Sequence, residues 1–528
     1  MKSYKTVLFF LTVIALSGAL SWYRDTGYAG PHHDEVIALM AAKGLEREFA
    51  SLKHKGAPPF HSIVMASEWH RFTKNFKPVS FFEIKQDVQA NDKHPPLAFW
   101  LFNVWLSNFK SAEYNHAVVL CWLQIILAGI LLAFAVLRLI GSKGLAGLAF
   151  ALFLMGNSAV FTSTWVRQYA LFTVWYAAVV VLAGELSRKD INSKSFALLS
   201  VAMGGVCLAG MTTHYSFAPA SFPIHVALLS VFLWRRKWKR LGVLAGSYIL
   251  GALAFLFLNA GFMKQVTAVA SGIKRSANLD SALVALGGFP QMLVPWPSYL
   301  PNWFGEIVGV GILTFFLGLA CWLCFLQWEN EKITPIRVVL SGMLGTGIVQ
   351  FLLVALGYFP GWATSPNHTC PFWILCVLVI ILAIHRLDRK RLTVSVGIAM
   401  IGMLGSQIVF AAHCHRIKSK TNVQYISRLD PSLVYVDNLW RGMILQLTDL
   451  MVPNQPVLVT KTENLEKRLK NGDFKKYKTI LYLLMGENQY PRKQQTLEAF
   501  RKAGWQSKEL PVVHPGVYDA IFLEKELQ

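Results

Sequence analysis

Gly30-Pro31-His32-His33-Asp34-Glu35 opens, and Asn91-Asp92-Lys93-His94-Pro95-Pro96-Leu97 closes, a long stretch of mixed polarity near the start of the chain. Residues 6–22 before it are apolar, and 116–137 form the first long apolar run after it. Roughly sixty residues lie between the two motifs, far more than neighbouring helices need for a connection. The segment that follows, Leu97–Phe109, decides the reading of everything downstream. It is apolar but only about thirteen residues long, and a bilayer crossing takes about 20. Read as interfacial or re-entrant, it leaves the later loops in one parity; read as a span, it inverts them all.

The loops settle the parity. Apolar segments recur at 116–137, 145–161, 169–186, 196–212, 217–234, 241–262, 304–327, 338–357, 371–384 and 392–411. With residues 6–22, read as an uncleaved first span, that makes about eleven helices of bilayer length. Alternate connections carry Arg138 and Lys143, then Arg188, Lys189 and Lys194, then the Arg235–Arg240 cluster, then Lys332 and Arg337, then Arg386–Arg391. Basic loops stay in the cytoplasm, so the N-terminus is inside and the long first loop outside.

Composition agrees. The 528 residues are 54% apolar and 15% charged, and the formal net charge is +22. In a soluble protein such charge would suggest nucleic acid; here it falls in short clusters between apolar runs and sets topology, so no nucleic-acid partner is expected. Seven cysteines give no disulfide framework, although Cys370 and Cys414 could both lie outside and pair. His413-Cys414-His415 has metal-ligand types without a second cluster at ligand spacing.

From about Arg416 the pattern changes. Val457–Thr460, Thr479–Met485 and Tyr518–Glu524 read as strands, with helices over Glu463–Leu469 and Gln494–Ala503 between them. The expected fold class is an all-α polytopic membrane domain with a C-terminal soluble α/β domain. Its divisions are 1–415, including an outer loop 24–115 with juxtamembrane helices, and 416–528 on the same outer side. The outer domain shows no group of base and phosphate-binding residues, so it is expected to be separable from the chemistry. No P-loop or dinucleotide glycine pattern points to a nucleotide donor.

Four polar motifs fall on the outer side. Asp34-Glu35 precedes Val36, Ile37, Met40, Leu45 and Phe49 at helical spacing, so the pair begins an amphipathic helix. Carboxylates there cap free N–H groups as readily as they do chemistry. Lys93-His94-Pro95-Pro96-Leu97 is a proline-fixed entry into the short apolar segment. Trp165-Val166-Arg167-Gln168-Tyr169-Ala170-Leu171 and Thr212-Thr213-His214-Tyr215 close the outer ends of two spans, where Arg snorkels and His or Tyr anchors. Asn367-His368-Thr369 is a glycosylation sequon.

In this order the four motifs resemble the GT-C superfamily of polyprenyl-phosphate-sugar-dependent glycosyltransferases. The resemblance is nearest to the bacterial branch of protein O-mannosyltransferases and lipid A aminoarabinose transferases, and covers roughly the first 220 residues in motif terms. Two departures stand out: Trp165-Val166 occupies the place where many relatives carry an acidic residue, and Lys264–Asn302 matches no motif. The resemblance implies a transferase in the cell membrane, with its site outside the cytoplasm. It would move a hexosyl or pentosyl group from a polyprenyl-phosphate donor to a lipid, glycan or protein acceptor. Asp34 would be the base, with Glu35 as its partner or as a metal or sugar ligand. Lys93, His94, Arg167, Tyr169, His214 and Tyr215 would line the substrate site, with Lys264, Lys274 and Arg275 behind them. The Asp-Glu pair and the histidines permit a divalent metal without requiring one. A transporter would instead place charges within spans and carry inverted repeats, and a scaffold would use Asp34 only as a cap.

Overall fold

The computed structural model describes residues 2–26, 31–91, 94–109, 113–259, 261–263, 318, 334–355, 366–386, 389–420, 429–437, 444–447, 451–460, 465–485, 490–510 and 518–525. In chain order the elements are α1 (Lys2–Thr26), α2 (His33–Ala42), α3 (Glu46–Lys55), β1 (Ile63–Met65), α4 (Ala66–His70), α5 (Phe81–Asn91) and α6 (Leu97–Leu106). There follow α7 (Tyr114–Ile140), α8 (Lys143–Met155), α9 (Asn157–Thr164), α10 (Tyr169–Leu186), α11 (Ser193–Thr213), α12 (Phe217–Trp234) and α13 (Trp238–Leu258). The rest are α14 (Thr334–Ala355), α15 (Pro366–Arg386), α16 (Arg389–Lys420), β2 (Leu433–Asp437), β3 (Pro456–Val459), α17 (Leu465–Asn471), β4 (Thr479–Met485), α18 (Tyr490–Lys502), β5 (Trp505–Leu510) and β6 (Tyr518–Lys525).

These elements form two compact units, one of Met1–Arg24, Lys93–Ala98 and Ala117–Phe410, the other of Asp25–Asp92, Phe99–His116 and Ala411–Gln528. The first is a helical membrane body. Among the described residues seven helices are long and apolar enough to cross a bilayer, eight if the bent pair α8–α9 counts as one. The protein is a multi-pass membrane protein. Apart from residue 318, the expected span at 304–327 lies outside the described residues, while α14 and α16 stand at the ninth and eleventh expected positions. The short segment after the loop is the ten-residue helix α6, about 15 Å long against roughly 30 Å of hydrocarbon.

The expected span 145–161 is not straight: α8 and α9 meet at 59°. The cause is a side chain from α15. Trp373 Nε1 donates to Phe153 O at 3.0 Å, and Gly156 leaves the helical region with ψ 144. A continuous helix would give that carbonyl to the N–H four residues on. A Cβ on Gly156 would stand 2.3 Å from Trp373 Nε1. Gly156→Val is therefore expected to lower the melting point in detergent, by a stability loss of about 1–3 kcal/mol; an unchanged melting curve would refute the wedge. Beyond the bend, Asn157 Oδ1 accepts from Arg24 Nη1 at 2.8 Å and from Gln407 Nε2 at 3.2 Å, tying α1 and α16 to α9.

Among the described residues the second unit is built on a six-stranded sheet in the order β1-β3-β2-β4-β6-β5. β3, β2 and β4 are parallel; β1, β6 and β5 join antiparallel. β2, β3 and β4 carry apolar side chains on both faces, the pattern of a sheet covered twice. One face holds Leu433, Tyr435, Leu458 and Tyr482 against Leu465, Phe474 and Phe500. The other holds Val434, Val436, Val457, Val459, Leu481 and Leu483 against Val36, Met40, Phe49, Phe60, Trp69 and Phe72.

That second layer is the long first loop. It also supplies an edge strand, since Ile63, Val64 and Met65 pair with Leu458, Val457 and Pro456. His61 Nδ1 lies 2.7 Å from Thr460 Oγ1, Ala66 N donates to Gln455 O at 2.8 Å, and Arg468 Nη2 donates to His61 O. The sequence groups this loop with the spans; contacts group it with the C-terminal sheet. The amphipathic stretch after Asp34 is two helices, broken at Gly44, whose φ of +67 suits glycine. The first turn of α3 is capped from α5: Glu46 N and Arg47 N both donate to the buried Asp87 carboxylate at 2.8 Å. The expected pairing of Cys370 with Cys414 is not formed, since neither is in a disulfide.

Candidate active site

In the membrane unit the chain brings together residues from four separate places. α10 begins at Tyr169, so Arg167 and Gln168 sit in the tight approach to its first turn, with Arg167 N donating to Trp165 O at 2.7 Å. α11 ends at His214, an extended residue that caps the helix. His94 follows the loop, immediately before its two buried prolines, and His368 stands in the first turn of α15. The rings meet: His94 and His214 lie 5.9 Å apart between centroids, Tyr169 lies 5.3 Å from His214 and 4.4 Å from His368, and Phe172 lies 5.7 Å from His214.

Arg167 is 6% exposed and Gln168 is 1% exposed. Among the described residues, Nε and Nη1 of Arg167 and both polar atoms of the Gln168 amide have no hydrogen-bond partner. Burying such groups without partners costs free energy, and more for a charge, so an arrangement of this kind is built to receive something. His214 shows what surrounds it. Its Nδ1 accepts from Ser216 N at 3.1 Å, so in the neutral ring the proton sits on Nε2. Burial, then the charges of His94, His368 and Arg167, hold its pKa well below the ordinary histidine value. Three imidazoles and one guanidinium share a small volume that lacks a negative charge among the described residues. Hydrogen-bond donors and positive charge together suit an oxyanion, a phosphate above all.

The loop unit holds the carboxylates. His32 is the N-cap of α2: its side chain accepts from Asp34 N at 3.3 Å, and Glu35 Oε2 accepts from His32 N at 2.6 Å, a reciprocal capping box. Glu35 is buried, and its other oxygen accepts from Tyr114 OH at 2.8 Å. Capping therefore belongs to Glu35 and His32. The Asp34 carboxylate stays part-exposed, 3.5 Å from His33 Nε2 and 3.9 Å from His32 Nδ1. Among the described residues, His32, His33 and Asp34 offer ligand atoms all within 4.8 Å of one another, a group that could hold a divalent cation.

Of the residues expected to line a site, His94, Arg167, Tyr169 and His214 are gathered into one cluster. Tyr215 turns away into an aromatic group with Phe255 and Phe262, at 6.3 and 5.1 Å. Lys93, Lys264, Lys274 and Arg275 lie outside the described residues. Sequence reasoning missed two members. Gln168 stood inside a quoted motif without a role, and His368 was read only as part of a sequon. Nothing local marks His368, which reaches the cluster through the packing of α15.

No family model matches the chain, and no curated protein matches its sequence. Solved structures do match. ArnT from Cupriavidus metallidurans, bound to undecaprenyl phosphate, superposes with a TM-score of 0.51 at 12% identity, over 99% of this chain and 98% of that one. The fold is of the GT-C type. The archaeal oligosaccharyltransferase AglB from Archaeoglobus fulgidus, in complex with an inhibitory peptide and a dolichol-phosphate, matches at a TM-score of 0.45 and 10% identity, over 96% of this chain and 73% of that one. At such identities the GT-C likeness is one of fold, and the chemistry has to be argued from this chain's own residues.

Proposed function

We propose that this GT-C protein is a membrane glycosyltransferase. It moves a sugar from a polyprenyl-phosphate donor to a lipid, glycan or protein acceptor on the outer face of the cell membrane. The observation that carries the reading is the buried Arg167, with Nε and Nη1 unpartnered among the described residues, beside His214, whose ring lies against His94 and His368. The fold's likeness to a protein that binds undecaprenyl phosphate supports the same ligand class.

The chemistry needs little more. The acceptor hydroxyl gives its proton to the Asp34 carboxylate, and its oxygen attacks C1 of the sugar from the face opposite the phosphate. The C1–O bond breaks, its electron pair stays on the lipid phosphate, and the anomeric centre inverts. Arg167, His214 Nε2–H and His94 take up the charge on the departing phosphate. No general acid is required, because the lipid phosphate, a monoanion as the diester, leaves unprotonated as a dianion. Glu35 keeps α2 capped and so holds Asp34 in place.

Arg167→Gln tests the phosphate assignment. Hydrogen bonds to charged groups contribute about 1.5–3 kcal/mol, so binding of undecaprenyl phosphate should weaken roughly ten- to a hundredfold. In ligand-free protein the same variant should melt no lower than wild type, since it removes a buried charge whose Nε and Nη1 are unpartnered among the described residues. Unchanged affinity for the lipid phosphate would sink this reading.

A further inference from the structure

α10 runs 18 residues from Tyr169 to Leu186, so its far end lies about 27 Å from the histidine cluster along the helix. There, where α7, α10 and α15 end and α14 begins, the membrane unit holds a half-open cavity of about 600 Å³. Among the described residues its polar wall carries Arg138, Arg188, Lys189 and Arg386 against Glu185 and Asp190, a formal surplus of two positive charges. Its inner wall is apolar, with Leu139, Val180 and Ile336.

The charges are held in place. Arg138 Nε and Nη2 donate to the two Glu185 oxygens at 2.6 and 2.9 Å, and Arg188 Nη1 donates to the same carboxylate at 3.2 Å. One carboxylate thus fixes two guanidiniums, each of which keeps further N–H groups in a planar fork suited to phosphate. Lys189 and Arg386 are exposed at the rim. Size, surplus charge and an apolar inner wall at the ends of spans together match a ligand with an anionic head and an apolar body.

We propose that this cavity binds a phosphate-bearing anion, either the headgroup of an anionic phospholipid or free phosphate. The site stands apart from the transfer reaction and does not depend on it.

The full chain, purified in a neutral detergent, is titrated with phosphatidylglycerol, phosphatidylcholine and inorganic phosphate separately. Bound lipid is read by native mass spectrometry and binding by the rise in melting temperature. Phosphatidylglycerol should bind and raise the melting point where phosphatidylcholine does not. Lys189→Gln/Arg386→Gln, both at exposed positions, should weaken that binding roughly ten- to thirtyfold. Inorganic phosphate that reproduces the shift and displaces the lipid would identify free phosphate as the ligand; phosphate without effect would identify the lipid. Equal response to phosphatidylglycerol and phosphatidylcholine with no response to phosphate, or full binding in the double variant, would overturn the site.

Discussion

Asp34→Asn is expected to reduce sugar transfer by about a hundred- to ten-thousand-fold, the usual worth of a general base. Stability should change little. The N-terminus of α2 is capped by the His32 side chain and by Glu35, not by the Asp34 carboxylate, whose contacts are the two neighbouring imidazoles at 3.5 and 3.9 Å. What Asp34 adds to folding is the interaction of a first-turn charge with the helix dipole, about 0.3–1 kcal/mol. Asn keeps the shape and loses both the charge and the ability to take a proton. The measurement is transfer of radiolabelled sugar from polyprenyl phosphate into membranes holding matched amounts of wild type and variant. Turnover near wild type would remove Asp34 from the chemistry. A large loss with lipid-phosphate binding intact would separate the base from the phosphate site that Arg167→Gln probes.

Ending the chain at Arg416 is expected to abolish activity altogether, by loss of folding in the loop that carries Asp34. Val36 and Met40 of α2, Phe49 of α3, and Phe60, Trp69 and Phe72 beyond it are all buried against β2, β3 and β4. Burying one such side chain contributes about 1.5–3 kcal/mol, and an average domain is stable by only about 5–15 kcal/mol. Without the sheet this face of the loop is left uncovered. Limited proteolysis should cut the shortened protein between residues 44 and 80, where the full chain resists. A truncated protein that transfers sugar at the full rate would show that the loop folds alone, as the sequence by itself suggests.

That contrast marks where sequence reading stopped. Seven spans and the bent eighth were legible because each is a local pattern of length and hydropathy. β3, β4 and β6 were legible as short apolar runs between turns. β5 was not: Gln506 to Glu509 are all exposed on an edge strand, so the segment reads as a polar loop. β1 has three residues and exists because a partner far along the chain pairs with it. The bend at Gly156 has the same character, since its cause is an indole from α15. Within the candidate site, Arg167, His94 and His214 lie in the four polar motifs; His368 lies only in a sequon, and the packing of helices delivers it.

The pairing of β1 with β3 also sets an order of events during synthesis. Met65 leaves the ribosome roughly 390 residues before Pro456, its partner, and at about 5–20 residues per second that is a wait of roughly 20–80 s. Throughout it the aromatic face of Phe49, Phe60, Trp69 and Phe72 has no sheet to cover it, while span after span enters the bilayer. Exposed apolar surface of this kind aggregates. The early loop is thus a segment in need of a holdase, and slowing translation between residues 110 and 430 should lengthen its exposure in proportion.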